Sequence, residues 1–463
     1  MMRRDHRLLA TAASSALLLV GFLAGPAQAQ TLRDALAYAY TSNPQLLAQR
    51  ALLRATDEGV PQALANWRPT VTFSGSAGYQ HSIFQPSGAP SSAIDLTPES
   101  AGLSLIQPIY RGGRSEAQLR EALDTVESTR AETLATETAV FQLVVTAYLN
   151  VVRDQTLVEV DRENEKVLRE ELKATEERFR VGEVTATDVA QAESALAQAT
   201  ATRIAAQGTL ASDRAAFTHA VGRPPGRLLM PRERPALPAT RKDALRLAAL
   251  ANPSVIAARF TELAARQQVG VVRGQLLPQI SVVGTADRAF DQSSFFKNVW
   301  QNDFSVTAQM TMPLYEGGAI YSQTRQAEQT VGQKRSLLDD ARRSAVQSAT
   351  QSWETLQAAR ASINSFEAAV RAAEIALKGT EQEALVGTRT VLDVLIANQQ
   401  LLTTRSQLVS AEHDAALAEF NLAAATGGLI APDLKLPVKL YDLDQHYNKV
   451  KNKWFGFGGG LGE

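Results

Sequence analysis

Apolar and polar residues alternate in two stretches of the chain, one in each half. The stretches are PTVTFSGSAGY, residues 69–79, and DFSVTAQMTM, residues 303–312. A period of two gives a β-strand one apolar face and one polar face. Strands of this kind are compatible with a membrane β-barrel that has a polar lumen and equally with a soluble β-sandwich. The sequence pattern of a single barrel strand is too weak to distinguish the two folds. Residues 80–100 and 291–299 are predicted to be solvent-exposed loops between paired strands.

Apolar residues recur at helical spacing through most of the remaining chain. No proline interrupts residues 115–180 or 319–385, and about 65 residues at 1.5 Å each predict a helix, or stacked helices, about 100 Å long. A second helical run, 188–220 in the first half and 393–425 in the second, is expected to return antiparallel after a glycine-containing turn. Its alanines allow close approach of helices, which predicts a bundle or tube with coiled-coil-like packing.

The two halves of the chain repeat each other. TLRDALAYAYTSNPQLLAQR begins at Thr31 and TRKDALRLAALANPSVIAAR begins at Thr240, an offset of 209 residues that becomes 205 from Pro108 and Pro313 onwards. Such a period is far longer than the 20–50 residues of a solenoid repeat and indicates a duplicated domain. Five prolines between residues 222 and 240 exclude both a helix and a central strand there and mark a linker.

The N-terminal residues are typical of a cleaved secretory signal. Arg3, Arg4 and Arg7 precede an apolar run, and Ala27-Gln28-Ala29 fits a cleavage site; a membrane anchor is the alternative. We predict five segments: a signal peptide at 1–29, a first repeat of helix, two strands and long helices at 30–221, a linker at 222–239, a second repeat at 240–427, and a C-terminal segment and tail at 428–463.

After residue 30, we find no run of about 18 apolar residues, so no helix is expected to span a bilayer, and entry into a membrane would require a closed β-barrel. The predicted four strands per chain are too few, because the smallest membrane barrels have about eight. Several identical chains would have to share one barrel. Three chains would give twelve strands, and counting alone leaves two or four chains open.

Composition excludes several classes of function. With 47 basic and 48 acidic residues, the net charge of −1 offers no field for holding nucleic acid. The chain has no cysteine, which excludes disulfides, thiolate metal sites, cysteine nucleophiles and a lipidated N-terminal cysteine. The histidines His81, His219, His413 and His446 lack metal-site spacing, and we interpret them as surface residues. We expect no catalytic residues, no metal, no cofactor and no enzymatic activity.

The chain resembles the TolC family of outer-membrane efflux and secretion ducts over residues 31 to about 440. The resemblance is carried by motifs that occur in order in both halves: the NPQL and NPSV starts, the strand-to-helix turns QPIYRGG (107–113) and MPLYEGG (312–318), and the helix tips VGEVTATDV (181–189) and VGTRTVLDVL (386–395). The turns contain the prolines and glycines Pro108, Gly112, Gly113, Pro313, Gly317 and Gly318.

The resemblance implies an α+β membrane protein of the cell outer membrane with a large periplasmic portion. The expected assembly is a homotrimer with a shared twelve-stranded β-barrel, four strands per chain, continued by a periplasmic α-helical barrel. An equatorial domain would be formed partly by the linker and the C-terminal segment. The implied partners are outer-membrane lipid, a periplasmic adaptor (membrane fusion protein), and an inner-membrane ABC exporter or proton-driven pump.

Both helix tips carry the residues of a turn and a helix cap. Glycine can adopt the left-handed conformation that ends a helix, and a threonine followed three residues later by an aspartate fits a capping box. The residues concerned are Gly182, Thr185 and Asp188 in the first half, and Gly387, Thr390 and Asp393 in the second. The resemblance implies that these tips form the periplasmic aperture, where a ring of Asp393 side chains would favour cations and raise the pKa of those carboxyls.

Two further tip residues follow from the resemblance. Ile396 occupies the place of a second acid that, in the family, often follows the position of Asp393. This implies a more hydrophobic constriction. Arg389 matches an arginine that ties the tip shut, which implies a latch to Asp188, next to Thr187. A solvated cation is the alternative for Arg389, because exposed ion pairs contribute only about 0–1 kcal/mol.

The tip motif VGTRTVLDVL and the lack of a lipidated cysteine resemble secretion-type members of the family. The sequence therefore favours an outer-membrane exit duct for type I protein secretion. Multidrug or small-molecule efflux is the nearest alternative, and a soluble periplasmic scaffold or adaptor is an alternative of another class. The basic and aromatic stretch HYNKVKNKWFGF, residues 446–457, could contact nucleic acid or lipid head groups, and we favour packing on the equatorial belt or an adaptor-facing tail.

Overall fold

The computed structural model describes residues 30–457 apart from 86 and 89, so the predicted signal peptide lies outside the described residues. The helices are α1 (Leu32–Ser42), α2 (Pro44–Asp57), α3 (Gly59–Leu64), α4 (Arg114–Arg180), α5 (Ala186–Val221), α6 (Arg241–Ala251), α7 (Pro253–Arg273), α8 (Ala319–Leu385), α9 (Val391–Ala425) and α10 (Gln445–Val450). The strands are β1 (Thr70–Ala77), β2 (Gln80–Phe84), β3 (Ser92–Leu96), β4 (Glu99–Arg111), β5 (Gln279–Phe290) and β6 (Trp300–Thr311).

The long helices have the predicted positions and lengths. Helices α4 and α8 have 67 residues each, which corresponds to about 100 Å at 1.5 Å per residue. Each is a single continuous helix rather than a stack, and each is followed by a helix of about half its length, α5 or α9. One stretch of α4 is long and apolar enough to cross a membrane, but 61% of it is buried inside the protein, as in the core helix of a bundle.

Two asparagines at equivalent places organise the ends of four helices. The side-chain oxygen of Asn43 accepts from the backbone of Gln45 at 3.0 Å and begins α2, while its amide donates to Ala220 O near the end of α5 at 3.2 Å. Asn252 begins α7 in the same way and donates to Ala425 O at the end of α9 at 3.1 Å. Each asparagine thus satisfies backbone groups of two helices that have no partner within their own helix.

The largest hydrophobic core lies where α1, α4, α5 and α9 meet the linker and the C-terminal segment. Tyr148 of α4 is 1% exposed, and its hydroxyl donates to Gln30 O at 3.0 Å and Leu229 O at 2.8 Å. Burial raises the pKa of Tyr148 to about 12, so the hydroxyl remains a donor. This contact fixes the linker, which as predicted contains neither helix nor strand between α5 and α6, against the middle of the long helix.

The strands β1, β4, β5 and β6 form one antiparallel sheet in that order. Two strands come from each half of the chain, and the β4–β5 pairing joins the halves. The apolar side chains predicted to share one face are largely exposed, as shown by Phe304 at 82% and Val306 at 81%. The soluble β-sandwich considered from the sequence is therefore wrong, because these four strands form a single layer whose apolar face is uncovered within the chain.

Residues 80–100 are not the simple loop predicted from their sequence. They contain a hairpin in which β2 pairs with β3, from Gln80 opposite Leu96 to Phe84 opposite Ser92. The hairpin lies beyond the end of the sheet at which Ala77 pairs with Glu99, remote from the long helices. Backbone groups in such a long connection gain hydrogen bonds by pairing with each other. The shorter connection 291–299 contains only a 3₁₀ turn at Ser294–Phe296, as the loop prediction requires.

Candidate aperture at the helix tips

The first tip turn joins α4 to α5 and the second joins α8 to α9, and both are built in the same way. Gly182 and Gly387 have φ values of 83° and 79°, the left-handed region that glycine enters without steric cost. In the second tip, the backbone N–H of Gly387 donates to Ala384 O at 3.2 Å and that of Thr388 donates to Glu383 O at 3.0 Å. These bonds satisfy the last carbonyls of the helix, and the predicted role of both glycines is confirmed.

The capping boxes predicted at both tips are present. The carboxylate of Asp188 accepts from Thr185 N and from Thr185 Oγ1, both at 2.8 Å. Asp393 accepts from Thr390 N at 2.9 Å and from Thr390 Oγ1 at 2.8 Å. Each aspartate backbone N–H donates back to the threonine hydroxyl at 3.3 Å. The cap therefore fixes the position of each carboxylate at the start of a helix, where the helix dipole favours negative charge.

The same hydrogen bonds set the acidity of the two aspartates. The backbone N–H of Thr185 and then its hydroxyl lower the pKa of Asp188 below 3.8, and Thr390 lowers the pKa of Asp393 in the same way. Both carboxylates are therefore ionised at neutral pH. The sequence led us to expect a raised pKa from a ring of like charges, whereas within one chain the capping hydrogen bonds act in the opposite direction.

Arg389 does not make the predicted contact with Asp188 within the chain. Its Nε donates to Oε2 of Glu383 at 2.9 Å, which spans the tip turn on its own side. Both side chains are 53% exposed, so the pair is only modestly stabilising. The hydrogen bond to Glu383 is the main reason that the pKa of Arg389 is raised, and the charge of Asp393 adds to it. The expected latch thus has a competitor that was not predicted from the sequence, an acid six residues before the arginine.

The remaining two residues predicted to line the aperture lie at the surface. Ile396 is 59% exposed, while its neighbours Val391 and Leu395 are buried against Leu168 of α4 and Ala199 of α5. This small cluster joins the two tips. Thr187, in the first turn of α5, is exposed as well.

A polar contact just above this cluster was not predicted. The amide of Asn398 in α9 donates to Oδ1 of Asn164 in α4 at 2.7 Å. An asparagine on an otherwise apolar helix face could have signalled such a contact, but its partner 234 residues away in the sequence could not be identified without the fold. A polar pair of this kind, partly buried between helices, helps to fix their register.

The strand-to-helix turns are partly as predicted. Gly113 and Gly318 precede α4 and α8 with φ values of 73° and 80°, and Gly112 and Gly317 also have positive φ. Pro313 lies two residues beyond Thr311, the last residue of β6.

Pro108 is not in the turn itself, contrary to our prediction. It lies inside β4, where the register with β5 shifts between Pro108 and Tyr110. Proline lacks a backbone N–H for the ladder and is tolerated where a bulge interrupts pairing.

The two glycine turns differ in what surrounds them. A Cβ on Gly112 would meet Gly274 O and would lie 2.8 Å from the Cβ of Leu277, whereas a Cβ on Gly317 would meet nothing within 4 Å. The first turn is therefore packed against the second half of the chain, while the equivalent second turn has no such neighbour among the described residues.

Among the residues that the structure describes, no group of three or more His, Cys, Asp or Glu side chains could hold a metal ion. The prediction that the histidines are surface residues is wrong for His413, which is 4% exposed and whose Nε2 lies 2.9 Å from Oδ1 of Asn150. It packs there because α9 lies against α4 at this level, which the sequence of α9 alone does not reveal.

Comparison with known proteins matches both halves of the chain to one family model, described as "Outer membrane efflux protein", over residues 35–223 and 244–428. Outer membrane efflux protein BepC of Brucella suis biovar 1 is 32% identical over 446 residues, covering 96% of this chain and 96% of that protein. Outer membrane protein TolC of Vibrio cholerae is 28% identical over 422 residues, covering 90% and 94%.

A solved structure has the same fold. The crystal structure of the Campylobacter jejuni CmeC outer membrane channel superimposes with a TM-score of 0.79 and covers 91% of this chain and 89% of that one. At 15% sequence identity, this likeness concerns the fold alone.

Proposed function

The chain belongs to the outer membrane efflux protein family and is an outer-membrane exit duct for efflux or secretion, and on that premise we propose that it works as a homotrimer coupled to an inner-membrane pump through a periplasmic adaptor. The observation that carries the proposal is the open four-stranded sheet. We propose that the chain is divided into repeats at 30–221 and 240–427, which are separated by a linker and followed by a C-terminal equatorial segment.

The sheet has two edges that are complementary to each other. β1 and β6 each have a neighbour on one side only. Within the chain, β4 of the first half pairs with β5 of the second half. Pairing β6 of one copy with β1 of the next would repeat this junction, because β6 of the second half corresponds to β4 and β1 of the first half corresponds to β5. Identical copies can thus continue the sheet around a ring until it closes and no edge remains.

The apolar face of the sheet supports a location in lipid. Val71, Phe73, Phe304, Val306 and Met310 are between 62% and 82% exposed. Exposure of so much contiguous apolar surface to water is unfavourable, and burial in the hydrocarbon of a membrane removes it. A closed barrel would also satisfy the backbone groups of both edge strands, as a bilayer requires.

The open glycine turn supports a ring as well. The 3₁₀ turn Gly274–Leu276, which packs against Gly112 within the chain, corresponds at an offset of 209 to Ala65–Trp67 in the first half. In a ring, the turn at Gly317 of one copy would meet Ala65–Trp67 of the next. Every glycine turn would then have the same kind of neighbour.

We place the periplasmic aperture at the helix tips, about 100 Å from the sheet along α4 and α8. Symmetry would surround the axis with copies of Asp188 and Asp393, whose ionised carboxylates favour cations. Arg389 would close the aperture by reaching Asp188 once it leaves Glu383. Ile396 would line the constriction beside Asp393, since both are on the exposed side of α9.

We propose that the cargo consists of proteins delivered by an ABC exporter. The basis for this proposal is the tip segment VGTRTVLDVL at 386–395. The second candidate is small-molecule efflux driven by a proton-coupled pump, which the similarity to an efflux protein over 96% of the chain favours.

Fractionation tests the duct. The expected result is a heat-modifiable trimer in the outer membrane; a water-soluble monomer in the periplasm would contradict it. Deletion of the gene then distinguishes the cargo: loss of a secreted protein supports the first candidate, and increased drug sensitivity with unchanged secretion supports the second.

A further inference from the structure

The end of the C-terminal segment carries positive charge and aromatic rings that the duct does not use. Residues 445–457 include Lys449, Lys451 and Lys453 and no acidic residue. Aromatic side chains in this segment are strongly exposed: Trp454 at 62%, Phe455 at 87%, and Phe457 fully. Exposed aromatic rings in a lysine-rich segment are unusual on a protein surface and indicate an interaction site.

This segment lies at the base of the sheet. Nη1 of Arg68 donates to Lys453 O at 2.8 Å, and the guanidinium lies 4.6 Å from the centre of the Trp454 ring. Arg68 precedes the first residue of β1 by two positions, or about 7 Å of extended chain. Trp454 is thus held at the end of the sheet from which the long helices depart.

The start of the segment is docked on the helices, so the position of its end is defined. His446 lies 3.2 Å from the buried Asp57 of α2. Arg130 of α4 forms an ion pair with Asp444 at 2.6 Å, and its guanidinium lies 5.2 Å from the centre of the Tyr447 ring. Helix α10 is therefore part of the folded body, and residues 451–457 extend from it towards the base of the sheet.

We propose that residues 449–457 dock on the periplasmic leaflet of the outer membrane, with the lysines on anionic phospholipid head groups and the aromatic rings in the interface. This rests on the proposed function, since it requires the sheet to lie in lipid. The apolar face of the sheet ends at the level of Trp454, and membrane barrels carry aromatic girdles at that level. Trp67 and Tyr315, at the same end of the sheet, are 40% and 86% exposed and continue the girdle.

The absence of native cysteine permits a direct test with single labels. A fluorophore that responds to its environment is attached to the cysteine of Phe455→Cys in the full-length trimer. The trimer is placed in nanodiscs that contain a spin-labelled lipid as quencher. Nanodiscs of phosphatidylethanolamine with phosphatidylglycerol are compared with phosphatidylcholine nanodiscs and with lipid-free trimer in amphipol. We expect quenching in both nanodiscs, about twofold stronger with phosphatidylglycerol because the lysines are attracted to an anionic surface.

Two further labels separate this inference from the proposed function. Phe304→Cys, on the apolar face of the sheet, reports whether the sheet is in lipid, and Thr388→Cys, at the tip, should not be quenched. Quenching at 304 without quenching at 455 would overturn the docking and leave the duct intact. Absence of quenching at 304 would overturn the duct itself.

The contribution of charge is tested by K449Q/K451Q/K453Q, with K173Q/K334Q/K378Q on α4 and α8 as the matched control that also removes three charges. The tail variant is expected to lose the preference for phosphatidylglycerol while the control retains it. A preference that survives in the tail variant would overturn the assignment of the lysines to head groups.

Discussion

Arg389 and Glu383 are joined across the second tip turn by a hydrogen-bonded ion pair, with Nε donating to Oε2 at 2.9 Å. The pair holds the arginine on its own side of the turn. If Arg389 also closes the aperture through Asp188, the two carboxylates compete for one guanidinium. The resting conductance of the duct then depends on the balance between them.

The first prediction concerns this balance. Arg389→Ala should raise the conductance of the trimer in planar bilayers, and Glu383→Gln should lower it, because the arginine is then free to reach Asp188. Each change should be about fivefold at most, since exposed ion pairs contribute only about 0–1 kcal/mol. Glu381→Gln and Arg371→Ala, exposed residues of the same helix, serve as controls. Unchanged conductance of Arg389→Ala would remove the latch.

The second prediction concerns the capping boxes. Thr185→Ala removes the hydroxyl that accepts from Asp188 N, which should weaken the start of α5 by about 1 kcal/mol. Hydrogen exchange of the backbone amides at 185–189 should therefore accelerate about fivefold. Thr187→Ala, at an exposed threonine two residues further along the chain, should leave these exchange rates unchanged. Similar acceleration in both variants would contradict the cap.

The third prediction concerns pH. Because the folded pKa of Asp188 is depressed below 3.8, its cap is stabilising above the unfolded value and is lost as pH falls through the folded value. Exchange protection at 185–189, corrected for intrinsic rates, should persist from neutral pH down to 3.8 and disappear below it. Earlier loss at 390–394 than at 185–189 would show that a ring of Asp393 carboxylates outweighs the capping hydrogen bonds in the trimer.

The fourth prediction tests the ring contact at the glycine turns. Gly317→Ala and Gly318→Ala share the backbone strain of a positive φ, about 1–2 kcal/mol. In the part of the chain that the structure describes, a Cβ at either position would meet no atom within 4 Å. If the next copy packs on Gly317, Gly317→Ala should lower the temperature at which the trimer dissociates on gels more than Gly318→Ala does. Gly112→Ala and Gly113→Ala are the corresponding substitutions at the first turn, where the residue packed on Gly112 belongs to the same chain. Equal effects of the two substitutions at 317 and 318 would contradict the contact.

The fifth prediction concerns a buried charge beside the linker. Glu419 of α9 is 1% exposed and accepts from Arg234 at 2.6 Å and Arg360 at 2.9 Å. Removal of both arginines by R234A/R360A strands a buried carboxylate and should cost about 3–5 kcal/mol of unfolding free energy. Glu419→Gln should cost less, because no charge remains buried. Denaturant unfolding in detergent measures both, and equal losses would contradict this account.

Local chemistry determined those elements that the sequence predicted well. The long helices follow from proline-free periodicity, and their ends follow from Gly182, Gly387 and the threonine-aspartate pairs, since caps depend on residues within three positions of each other. The repeat also identified corresponding turns in the two halves. The hairpin at 80–96 was missed because short alternation in a polar segment resembles a loop, and Pro108 was misplaced because a bulge depends on the partner strand.

By itself, the sequence determined the order of the long helices and of the sheet strands, the duplication and the two capped tips, because each rests on spacing along one stretch of chain. Tertiary structure alone decided that His413 is buried against Asn150 and that Trp454 is held beside Arg68 at the base of the sheet. These contacts depend on which side chains face each other once helices and strands have packed. Residues up to several hundred positions apart then become neighbours, and no local pattern encodes that distance.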